Sequence, residues 1–194
     1  MSVKLAKIIR ILTIAPLGAF VLVTLLFLLR QESFGNLTAY LLAVFYLTVL
    51  PVSAYPLQPL IPGFRKQGRE GQRNLAILMA NAGYLCGILT LCFTSASRMQ
   101  WTIYLTYLFS GLGIILFNKF LKIKASGHAC GIVGPIALSV YHIGIYGILA
   151  GSLIFLLMCW SSVTLKRHTP SQLLWGSILP IVALLLTHLL LLLF

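Results

Sequence analysis

HACGIVGPIALSVYHIGIYGILAGSLIFLLMCW, residues 128–160, is apolar almost from end to end. The stretch is just long enough for a helical hairpin, with short spans over about 127–142 and 145–161. Glycines at 144, 147 and 151 suit close helix packing near its turn. Taken as one long helix instead, it leaves the chain with six spans rather than seven.

Similar runs lie on either side. Spans are expected at roughly 9–29, 38–60, 75–95, 101–121 and 169–193, bounded by short polar segments. The composition agrees: 60% of the 194 residues are apolar and only 8% are charged, against roughly a quarter charged in ordinary soluble domains. The expected fold is an all-α polytopic transmembrane bundle of about six to seven spans. No linker or low-complexity block divides it, so 1–194 reads as a single transmembrane domain. The opening run is longer than a signal peptide's apolar core and shows no small-residue cleavage site, so it reads as a retained first span.

The charges are strongly biased. Fourteen Lys and Arg face two acids, Glu32 and Glu70, for a net charge of +12. With the N-terminus inside and seven spans, twelve of these bases fall on the inner face and only Arg30 and Arg98 on the outer. Lysines and arginines gather in cytoplasmic loops of membrane proteins, so the charge reads as topology rather than as nucleic-acid binding. Cys86, Cys92, Cys130 and Cys159 lie in apolar segments without metal-ligand spacing and read as small buried residues. No metal or cofactor is expected.

Three basic loops, at 62–74, 119–128 and 161–168, are separated by two spans each time and so share one face. In the first, Arg69 and Arg73 are four residues apart and share a helix face if that helix starts early. Two guanidiniums placed so can fork onto phosphate oxygens; the plainer reading is a solvated loop. In the second, Ser126 and Gly127 precede an apolar helix whose free backbone N–H groups make an anion seat, with His128 in the first turn. Ser126 can equally serve as a simple helix cap. In the third, His168 sits beside Lys166 and Arg167, before a helix opened by Thr169 and Pro170. The Gln172 amide oxygen, one turn on, can accept the His168 Nδ1 proton and leave Nε2 free to attack. Two imidazoles among cations suit phosphoryl transfer, one attacking phosphorus and one protonating the leaving oxygen.

The order and spacing of these pieces resemble the type 2 phosphatidic acid phosphatase superfamily of membrane lipid phosphatases, whose pattern runs K-x6-RP, PSGH, SR-x5-H-x3-D. Here Lys66 precedes Arg73-Asn74 by six residues, Ala125-Ser126-Gly127-His128 follows, and Ser161-Ser162, His168 and Gln172 keep the third spacing. The sequence departs at Asn74 and Ala125 (proline in the pattern), Ser162 (arginine) and Gln172 (aspartate). Some dolichyl diphosphatase-like members carry the same H-T-x-x-Q. The resemblance implies His168 as nucleophile, His128 as general acid, and Lys66, Arg73, Ser126 and Gly127 as phosphate contacts. Arg69, by its helical spacing, and Arg167 are candidates to stand in for the arginine that Ser162 replaces. The implied substrate is a lipid phosphate or diphosphate, isoprenyl or phosphatidate type, held in the bilayer. A compact chain of this kind points to a bacterial inner membrane with the site facing the cytoplasm. The alternative is an inactive relative that binds an anionic head group or scaffolds a partner. His142 and His188 read as structural, and Trp101, Trp160 and Trp175 as interfacial anchors near span ends.

Overall fold

The hydropathy pattern folds entirely into helices. A computed structural model of the chain describes residues 2–193. Among these the helices are α1 (Ser2–Leu12), α2 (Ala15–Leu29), α3 (Leu37–Leu60), α4 (Pro62–Arg65), α5 (Gly68–Cys92), α6 (Arg98–Phe120), α7 (Gly127–Ile143), α8 (Ile145–Thr164) and α9 (Pro170–Leu192). Five of them, α3, α5, α6, α8 and α9, are long and apolar enough to cross a membrane, and α1 with α2 makes a sixth if that bent pair is one span. α7, at 17 residues, is shorter. The protein is an all-α polytopic membrane bundle.

Large apolar side chains such as Leu85, Leu89, Leu149, Leu153, Leu185 and Leu189 are exposed on the long helices. A water-soluble surface would not carry so continuous an apolar belt. The interior is filled by residues including Leu22, Leu26, Leu47, Ile103 and Leu138, all nearly inaccessible. α9 packs on α6 and α7, α8 on α7, α2 on α7, α5 on α3 and α6, and α1 along α8.

Two expectations need correction. The first span is not one helix over 9–29. Pro16 has no N–H to donate to the Leu12 carbonyl, and its ring crowds the preceding turn. The chain breaks there, with Ile14 extended (φ −64°, ψ 143°), and the two helices meet at 50°. The third span does not start near 75: α5 begins at Gly68, which places Arg69 and Arg73 on its first turns.

The 128–160 stretch is a hairpin rather than one helix. Gly144 turns the chain with φ 64° and ψ −131°, a conformation that glycine adopts freely for want of a Cβ. Behind the turn, a Cβ on Gly147 would lie 2.6 Å from the Ser139–Val140 backbone, so glycine lets α7 and α8 touch. His142, in the last turn of α7, lines a pocket with Arg30, Glu32, Ser97 and Met99. Three connections therefore meet at one end of the bundle. The α1–α2 bend, the α3–α5 connection and the loops at 121–126 and 165–169 occupy the other end. There Lys122 and Lys166 end α6 and α8 in left-handed conformations, φ 56° and 49°, where glycine is the usual residue.

Candidate functional site

At the basic end, ordinary capping chemistry brings the two histidine segments together. Thr169 caps α9 by accepting from Gln172 N (3.3 Å), and Gln172 Oε1 accepts in return from Thr169 N (3.4 Å). The same Oε1 lies 3.2 Å from His168 Nδ1. An amide oxygen only accepts, so His168 carries its proton on Nδ1 and keeps the Nε2 lone pair free.

Gln172 also reaches the second segment, through its backbone. Ser126 N donates to the Gln172 carbonyl at 2.9 Å. Ser126 Oγ in turn accepts from Ala129 N at 3.2 Å and caps α7. Ser126 is fully buried in this role, whereas Gly127 beside it is exposed, with open space around its Cα. Asn118 fastens the connecting loop, donating to the Ile114 carbonyl at 2.9 Å and the Ala125 carbonyl at 3.1 Å. One turn along α9 from Gln172, a Cβ on Gly176 would stand 2.3 Å from the Ser126 carbonyl oxygen.

That approach gives a direct test of the coupling. Gly176→Val is expected to push α9 off the α7 cap and destabilise the protein by about 2–3 kcal/mol. Gly134→Ala, whose Cβ would meet Pro180 at an ordinary 3.6 Å, is expected to stay within about 0.5 kcal/mol of wild type. Thermal unfolding of both in detergent checks this; equal unfolding temperatures would show that the contact does not join the segments.

His128 is held from the opposite side. Its Nε2 lies 3.2 Å from Thr13 Oγ1 at the α1–α2 bend. Thr13 donates its own proton to the Ile9 carbonyl at 2.8 Å, so His128 Nε2 is the donor to Thr13 and Nδ1 remains to exchange a proton. The charges acting on His128 are Arg10 and His168. Those acting on His168 are Arg10, Arg73 and Arg167. His168 lies in the 165–169 connection, and burial pushes its pKa down; the Gln172 hydrogen bond opposes this, and the three arginines push it further down.

Arg10 is the residue that the sequence pattern does not single out. It is half-buried beside Arg167, Tyr55 and Arg69, and its Nη1 is buried without a hydrogen-bond partner. The signal was faint: Lys4, Lys7 and Arg10 recur every three residues ahead of Pro16. Arg69, Arg73 and Arg167 are exposed around this cluster. Lys66, just past α4, is also exposed, and the charges that act on the two histidines are the arginines rather than this lysine. Ser162 is fully buried with its hydroxyl toward Met158 Sδ at 3.9 Å. A side chain at that position lies in the bundle interior, and the guanidiniums that act on the histidines come from α1, α5 and the 165–169 connection.

The remaining histidines stand apart. His188 Nδ1 bonds the Tyr141 hydroxyl at 2.8 Å, and His142 packs edge-on against the Tyr141 ring. Among the described residues, no three His, Cys, Asp or Glu side chains come together as metal ligands. The chain matches no family model, no curated protein and no solved structure.

Proposed function

We propose that the protein is a membrane lipid phosphatase of the type 2 phosphatidic acid phosphatase kind, removing phosphate from a lipid phosphate or diphosphate without a metal ion. The observation that carries this reading is the double role of Gln172. Its side chain orients His168, and its carbonyl anchors the segment that bears His128.

In the proposed reaction, Arg73, Arg167, Arg10 and the Gly127 amide hold the phosphate oxygens, with Lys66 and Arg69 drawing the head group in. His168 Nε2 attacks phosphorus and forms a P–N bond as the P–O bond to the lipid breaks. His128, entering the cycle as the imidazolium with its Nε2–H on Thr13, gives its Nδ1 proton to the departing oxygen. Water then attacks the phosphohistidine, His128 takes a proton from that water, and inorganic phosphate leaves with His168 restored. Ser126 supports this by fixing the α7 start. We propose that this face is cytoplasmic, from the bias of lysines and arginines, and that the membrane is a bacterial inner membrane, from the compactness of the chain.

The test is phosphate release by purified protein from isoprenyl and phosphatidate-type substrates in excess chelator. Release is the expected result. Head-group binding without release from any of them would favour the inactive relative, for which the glutamine and the buried Ser162 in place of aspartate and arginine speak.

The pH profile follows from His168. Its folded pKa lies below the ordinary imidazole value of about 6.5. The neutral nucleophile therefore survives into mild acid, and the acid limb of kcat/KM is expected below that pH. Arg73→Gln removes one of the cations opposing protonation, so it should move the limb upward. An acid limb above 6.5, unmoved by that change, would exclude His168 as the titrating base.

A further inference from the structure

An apolar groove of about 310 Å³ runs between α1, α2, α7 and α8. Its size falls at the lower end of the range for ligand pockets, roughly 300–1,000 Å³. The lining is hydrocarbon apart from Thr13, Ser139 and the Tyr146 hydroxyl. One end touches Ile9 and Thr13, and Thr13 is the residue that holds His128. The other end reaches Ile143 and Tyr146 at the α7–α8 turn. From Ile132 to Ile143 the α7 wall rises about 16 Å, a little over half of the ~30 Å hydrocarbon core. The groove is thus about one lipid tail deep.

Arg10 lies near the Ile9 and Thr13 end of the groove, though not among its lining residues: it acts on His128, which Thr13 holds. Arg10 follows Ile9 directly, with Nη1 buried and unpartnered and with Arg167 and Arg69 as cationic neighbours. An unpaired guanidinium held among other cations is costly unless an anion joins it. With two acidic side chains in the sequence, Glu32 at the far end and Glu70 exposed on α5, an anion for Arg10 has to be sought outside the chain.

We propose that the α1–α2 bend builds a site for a single anionic amphiphile, with Arg10 on the phosphate head and one hydrocarbon tail lying in this groove. The site rests on the reading of the basic end as a phosphate site, though not on turnover there. It makes the tail a determinant of specificity: an alkyl or isoprenyl phosphate that fills the groove binds more tightly than the same head with a short chain.

Ala150 and Val21 line the groove and are exposed within it, so a larger side chain at either fills it without entering a helix contact. Binding of dodecyl phosphate, dodecanol and inorganic phosphate is measured on the full chain in nanodiscs of zwitterionic lipid, with phosphate release followed in the same samples. Ala150→Phe and Val21→Phe are each expected to weaken dodecyl phosphate roughly tenfold or more, since each methylene kept out of the groove forfeits about fourfold. Both should leave inorganic phosphate unchanged, which also shows that the variants are folded. Arg10→Gln is expected to weaken both phosphates about tenfold or more and to leave dodecanol alone. Unchanged dodecyl phosphate binding in both groove variants overturns the tail site. Dodecanol binding as tight as dodecyl phosphate in wild type overturns the role of Arg10. Tail-dependent binding without release supports the site and overturns the phosphatase reading; release that ignores the groove variants does the reverse.

Discussion

His168→Ala is expected to lower phosphate release by at least about 10³-fold, with little change in unfolding temperature. The imidazole is half-buried in a connection, and its one hydrogen bond goes to an amide oxygen that keeps the Thr169 N–H as a second partner. Loss of the ring therefore leaves the α9 cap intact, and substitutions of that kind usually shift stability by no more than about 0.5 kcal/mol. The effect on rate should be large because the proposed nucleophile has no substitute: the other imidazole is tied to Thr13. Phosphate release and thermal unfolding on the same preparation separate the two effects. Activity within tenfold of wild type would remove His168 from the reaction. Gln172→Leu is expected to fall between the two, because the ring remains but its tautomer is no longer fixed.

His128→Ala is expected to show a loss that depends on the leaving group. A lipid monophosphate expels an alkoxide, which needs a proton in the transition state, and general-acid catalysis is worth about 10²–10⁴ there. A nitrophenyl phosphate, or a diphosphate that expels a phosphate, needs far less help. The variant should therefore be severely slowed on the first and only mildly on the others. Equal losses on all three would sink the proton-donor role and leave His128 as a phosphate contact. Thr13→Val provides the companion measurement. It removes the oxygen that His128 Nε2 bonds, so it frees the ring and should reproduce part of the same leaving-group dependence.

What could be read from the sequence was what is local along the chain. The Thr169 cap, the Gln172 contact with His168 and the Ser126 cap all close within three or four residues, and hairpin turns at glycine follow the same logic. The helical bundle follows from hydropathy alone. Arg10 was not legible as a site residue, because its position depends on two distant facts: the break imposed by Pro16, and the packing of α1 along α8. The buried orientation of Ser162 was hidden for a similar reason. A two-residue shift along α8 turns a side chain from the surface into the bundle, and only the packed helix says which way it faces. The short α7 was legible as a short span over about 127–142, whereas the 50° break between α1 and α2 is not visible in an average of hydropathy.

The shortness of α7 has a consequence for the bilayer itself. Seventeen residues rise about 25 Å, roughly 5 Å less than the hydrocarbon core. A helix shorter than its membrane is accommodated by local thinning of the bilayer or by flanking side chains that reach to the interface. A shortfall of that size, if it falls at the α7 N-terminus, sets His128 in the first turn about one helical turn below the head-group plane. On the phosphatase reading, thinner membranes should then present a lipid head group to His128 more readily.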